Sequence, residues 1–155
     1  MKAIKAVYYL LSQSESITAS IYPQRIPEGS SLPAIALSQI SRISNDTKKE
    51  YSKSDESRVQ ITIVSETATA AYDLADSVRS AMRAEVPNSY NTVLVQNISF
   101  DNEITDQDDD ADEQGLFMVV QDYLVMYSTV GVSLGSLLKE DGSFLLLESG
   151  DQISL

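Results

Sequence analysis

The chain has 155 residues, 43% of them apolar and 22% charged, with a formal charge of -12, the composition of one folded domain of ordinary size, with too little chain for two full cores. It contains no Cys, His or Trp, which removes Ser-His-Asp and Cys-His nucleophiles, disulfides, and the thiolate and imidazole ligands of zinc and most transition-metal sites. Only oxygen-ligated hard cations such as calcium or magnesium stay open.

At the N-terminus, Ile4, Val7, Tyr8 and Leu11 recur at i, i+3, i+4 and i+7 and predict a helix over Lys2 to Ser12 with that set as its apolar face. The apolar run Ala6 to Leu11 is followed at once by Ser12, Gln13 and Ser14. It falls short of the roughly 7 to 15 residues of a secretory core, so it reads as an amphipathic helix and not as a signal peptide. No stretch approaches the roughly 20 apolar residues of a membrane span, and a soluble protein is expected. Pro23, Pro27, Gly29 and Pro33 then punctuate an irregular, extended connector, because each proline removes a backbone donor and fixes φ.

A strand follows from Ile35 to about Ile43, then the polar segment "SNDTKKEYSKSDES" and a second strand, "RVQITIVS", in which Val59, Ile61 and Ile63 alternate with Gln60 and Thr62. Two strands joined by a polar loop predict an antiparallel hairpin. Beyond Thr67 or Thr69, either able to cap it, a second helix places Ala71, Leu74, Ala75, Val78 and Met82 on one face. Arg79 and Arg83 lie in its last turns and Pro87 past its end, where cations complement the helix dipole and proline stops the helix. "TVLVQNISF" and "GLFMVVQDYLVMYS" are two more strands, and the second is apolar on both faces, which places it in the middle of the sheet.

The order helix, two strands, helix, two strands predicts an α+β layer: a mostly antiparallel sheet of at least four strands with both helices on one face. Residues 1–128 form this domain. Residues 129–155 read as a separate extension, because "LKEDGSFL" is followed in register by "LLESGDQI", a period of eight with turn dipeptides Asp141-Gly142 and Ser149-Gly150. This is the pattern of a small β-meander, which is marginal on its own and needs a sheet edge or a neighbouring chain to pair with.

Charge divides the chain. Residues 1 to 100 hold ten acids and ten bases, while everything from Asp101 onward holds thirteen acids against Lys139. The densest part is Asp101, Glu103, Asp106, Asp108, Asp109, Asp110, Asp112 and Glu113, a run that fits a metal cage, a phosphate-repelling surface or a solvated loop. Read as an EF-hand from Asp106, the run fails, since the sixth position is Ala111 where glycine is required and the twelfth is Phe117 where a glutamate must coordinate. Such polarity also argues against a DNA-gripping face, which needs clustered Lys and Arg. Ser136 and Lys139 make an S-x-x-K pair, without the other motifs of the acylases that use one. The acidic run lacks the aromatic surroundings of a glycosidase dyad. No catalytic residue, metal site or cofactor is expected. Lys48, Lys49, Tyr51 and Lys53 in the first polar loop form either a solvated hairpin tip or a partner-contact loop.

The helix "AVYYLLSQSESITAS", then Ile21-Tyr22-Pro23 with Pro27 and Leu32-Pro33, the "RVQITIVSETATAAYDLADSVRSAMR" unit with Leu74-Ala75 and Val78-Arg79, and a closing "YLVMY" strand resemble the bacteriophage tail-completion, or tail-terminator, family over about residues 3 to 128. Ala34 departs from the family, in which an aromatic commonly follows that proline. The resemblance implies a structural, non-enzymatic virion protein of the neck. It implies a homo-oligomer, usually a hexameric ring, assembled in the host cytoplasm. Such a ring caps the tail tube protein, meets the head-completion or connector protein, and passes DNA without binding it. No membrane takes part. On this reading the acidic run faces the lumen or a ring surface near it. The rival reading is a stand-alone calcium-binding or protein-interaction module.

Overall fold

The computed structural model describes residues 1–44, 54–108 and 115–128. Its elements are α1 (Lys2–Ser12), β1 (Ser20–Pro23), β2 (Ala34–Ser44), β3 (Ser54–Ser65), α2 (Ala68–Ala81), β4 (Asn88–Tyr90), β5 (Val93–Asp108) and β6 (Leu116–Ser128). The six strands form one sheet in the order β1-β2-β3-β6-β5-β4. The α+β class is as the sequence predicts, and β6 sits between β3 and β5 as its two apolar faces require.

The sheet is mixed, so the mostly antiparallel arrangement read from the sequence holds only in part. β1 runs parallel to β2, with Ser20 beside Ala34 and Pro23 beside Leu37, and the other pairings are antiparallel. The proline-rich connector reads from the sequence as irregular and extended, with no strand of its own. It contributes β1 because a proline is tolerated at the end of an edge strand, where its missing donor would have faced outward. β4 was also not foreseen. Its hairpin to β5 turns through Asn91 and Thr92, both at positive φ (49° and 65°), between the paired Tyr90 and Val93. Such a two-residue turn usually announces itself with Asn-Gly, and a β-branched threonine in its second place is strained.

Alternation on β3 and β6 sorts the side chains. Val59, Ile61 and Ile63 on β3 and Val119, Tyr123, Val125 and Tyr127 on β6 are buried, and both helices pack on that face in a single core. α2 buries Ala71, Leu74, Ala75 and Val78, and Met82 at its C-cap is buried with them, as predicted. Its start is fixed by Thr67, whose hydroxyl accepts from the Ala70 amide at 3.3 Å. In α1 the buried face is Ala3, Ala6, Val7 and Leu11, not the set with Tyr8, which is 47% exposed. The small residues Ala3 and Ala6 bring the helix axis close to the sheet and turn the larger Tyr8 outward, a choice that hydrophobic periodicity alone does not make. The C-terminal extension 129–155 and the contact loop with Lys48, Lys49, Tyr51 and Lys53 lie outside the described residues.

Candidate functional surface

The sequence reads the strand before the acidic run as ending at Phe100 and the run itself as a loop. β5 instead continues to Asp108, so Asp101, Glu103 and Asp106 are exposed strand residues. Their own side chains give no β signal. What holds them extended is the ladder to the apolar strand β6, which pairs Glu103 with Gln121, Asp106 with Met118 and Asp108 with Leu116, a case of tertiary pairing overriding local preference. Asp109, Asp110, Asp112 and Glu113 lie outside the described residues. Among the described residues no group of three or more carboxylates is placed to hold a metal ion, and no helix is long and apolar enough to cross a membrane.

Pairing distributes these acids over both sheet faces. Glu103 shares the helix-bearing face with Gln121, whose amide nitrogen donates to a Glu103 carboxylate oxygen at 2.7 Å and to the Ala75 carbonyl of α2 at 3.0 Å. The Tyr123 hydroxyl donates to Gln121 Oε1 at 3.0 Å, so both ends of this fully buried amide are engaged. Burial, opposed by nearby Arg79, pushes the Tyr123 phenol up to about 12. Arg79 lies over the Phe100 ring at 3.8 Å, and Phe100 meets Tyr123 edge-on at 5.5 Å. With Met82, Arg83 and Ile98 these residues line a cleft of about 130 Å³, smaller than the roughly 300 to 1,000 Å³ of a small-molecule pocket.

On the helix-free face, Arg58 of β3 reaches across β6 to Asp101 at 2.7 Å and Asp122 at 3.7 Å. It ties the first residue of the acidic run to the centre of the sheet. Sequence reasoning missed Arg58, Gln121 and Asp122. The only signal in the sequence was a polar residue interrupting each alternating face of β6, with no hint of its partner.

The two outer edges are each half covered. β1 shields β2 only from Ala34 to Leu37, and the remainder of β2, from Ser38 on, has no strand on its outer side among the described residues. There Ile40 and Ile43 are 52% and 57% exposed. β4 shields β5 only at Val93 to Val95, leaving the long acidic part of β5 open on its outer side among the described residues. Beside β1, Met1, Ile4, Pro23, Leu37 and Gln39 line an open groove of about 430 Å³.

A small curled sheet with helices on one face and, among the described residues, an uncovered second face and two incompletely shielded edges is the build of a component that works through contacts with other chains. The family of tail completion protein gp17 matches residues 5–128, and the chain belongs to that family: it is a structural tail protein of a phage-type virion. A chain in the solved virion of a native gene transfer agent particle shares the fold, with a TM-score of 0.58 at 13% identity, over 83% of this chain and 94% of that one. No curated protein sequence matches it.

Proposed function

We propose that the protein forms a ring, hexameric by resemblance to its family, that caps the tail tube at the neck, receives the head-side connector and lets DNA pass. The observation that carries the DNA part of this reading is the position of Asp101 and Asp106 as exposed residues on the helix-free face of one strand, which leads directly into the remaining acids of the run. Carboxylates held on a strand present a fixed negative surface, which repels phosphate over a screening length of roughly 8 Å at physiological salt. A lumen coated in this way keeps DNA from adhering. The open edges supply the subunit contacts, since a closed ring requires two different complementary faces on each copy.

Replacing Asp106, Asp108, Asp109, Asp110 and Asp112 with Asn is expected to leave rings intact by native mass spectrometry while slowing DNA ejection from assembled particles. Unchanged ejection from normal rings would remove the lumen assignment. The rival calcium module is tested by a melt: a stabilised native state gains about 2.7 kcal/mol at a hundredfold excess over Kd, so a calcium-dependent rise in Tm would favour it.

A further inference from the structure

We propose that neighbouring copies join by strand pairing, the open part of β2 in one copy adding to the open part of β5 in the next, so that the sheet continues from subunit to subunit. This inference rests on the ring reading and names the surfaces that close it. Its first support is direction. Three antiparallel pairings separate β2 from β5, so the two strands run opposite ways. A second copy set alongside by rotation about an axis near the strand direction therefore presents β5 antiparallel to β2, the stronger of the two ladder geometries.

Register is the second support. Ser41 is level with Arg58, Leu124 and Ser99 across the sheet, so the uncovered length of β2 and the start of the uncovered length of β5 lie at the same height. Over Ser38 to Arg42 against Asn102 to Ile98 neither β1 nor β4 stands between them, and β1, level with Glu103 to Asp106, bounds the pairing on one side. β2 also carries unfinished business on this edge: Ile40 and Ile43 are largely exposed, and the buried side-chain oxygen of Gln39 has no donor among the described residues.

Charge selects the partner. Within that window the β2 edge holds Arg42 and no acid, whereas β5 holds Asp101 and no base and continues into Glu103 and Asp106. Arg42 is bound by Asp55 at 2.5 Å but stays 54% exposed. Two β5 edges brought together would set carboxylates opposite carboxylates, which destabilises a ladder. The acidic edge is thus closed to its own kind and open to β2, which favours a head-to-tail contact over a two-fold one.

Because the chain lacks cysteine, disulfide trapping reads this contact without background. Ser41→Cys is combined with Ser99→Cys, Asn102→Cys or Ile104→Cys, all on the helix-free face. Within one chain the two edges stand three strand spacings apart, roughly 14 Å, beyond the limit of about 7 Å between Cα atoms for a disulfide. Any bridge must join two copies. The proposal expects mixed single variants to give a covalent dimer for at least one pair, Ser41→Cys alone to give none, and the matching double variant to give a ladder ending at the full ring. Dimers from Ser41→Cys alone, or slow amide exchange at Ile40 to Ser44 in the monomer, would place a different occupant on the edge and overturn it. Oligomers that never cross-link would overturn the pairing and leave the ring standing. If no oligomer forms, free or on tail tubes, the ring reading falls and takes the pairing with it.

Discussion

The two faces of β6 differ in what they bury. Toward the helices, Val119, Gln121, Tyr123, Val125 and Tyr127 are at most 2% exposed. On the opposite face Met118, Val120, Asp122, Leu124 and Met126 are only half-buried, and no helix covers them among the described residues. One strand therefore carries a core that determines the fold and a second surface that the fold does not need to complete. The difference separates, along a single element, the face that the fold buries from one that stays accessible among the described residues. It also says where substitutions should unfold the monomer and where they should not.

The largest effect is expected in the covered face. Ile61, fully buried among both helices, should lose about 3 kcal/mol on truncation to Ala, from the lost transfer energy and the cavity left behind. Leu124→Ala, at the centre of the uncovered face, should cost about 1 kcal/mol, because much of its surface already meets water. Urea denaturation of the two variants checks the contrast. Equal losses would show that something in the same chain covers the second face.

Part of this division was legible in the sequence. Alternation in "RVQITIVS" and the face of α2 are set by residues whose burial is enforced locally by period, and the structure places them as read. The two-sided apolar run of β6 correctly marked a central strand. What periodicity could not reveal was pairing. β1 and the second half of β5 are strands because of their neighbours: Pro23 and Asp106 argue against a strand taken alone, and the ladders to β2 and β6 outweigh them. The same holds for Gln121, a polar residue in an apolar run, whose acceptors Ala75 and Glu103 lie far away in sequence.

A second contrast within the covered face comes from pH. Tyr123 titrates at about 12 in the folded chain against an ordinary phenol near 10 in the unfolded one. Raising the pH through that window deprotonates the unfolded chain first. Its phenol then holds fewer protons than the native one, and stability falls as pH rises from about 10 to about 12. The loss at the top of the window is on the order of 2 kcal/mol. Tyr123→Phe should be about 1 kcal/mol less stable near pH 8, through the lost hydrogen bond to Gln121. It should also lack that alkaline slope. Denaturation at pH 9 and pH 11.5 for both chains measures the difference, and parallel slopes would mean that the phenol is not buried as the geometry has it.

The smallest effect belongs to the uncovered face and tests the comparison most sharply. Arg58 is 38% exposed, Asp101 31% and Asp122 13%, so their ion pairs are partly screened by water. Pairs of this kind contribute about 0.2 to 1 kcal/mol, and Arg58→Gln should cost no more than that at low salt. The difference between variant and parent should shrink as salt rises, since the screening length drops from about 10 Å at 0.1 M to about 3 Å at 1 M. Both chains are expected to gain stability with salt because the net charge is strongly negative, so only their difference is diagnostic. A loss of 3 kcal/mol or more that persists at 1 M salt would have another cause. It would mean that Asp122, one of whose oxygens is buried without a donor among the described residues, depends on Arg58 as an enclosed charge depends on its counterion. The second face would then be a structural layer like the first, and the surface left for assembly would contract to the two open edges.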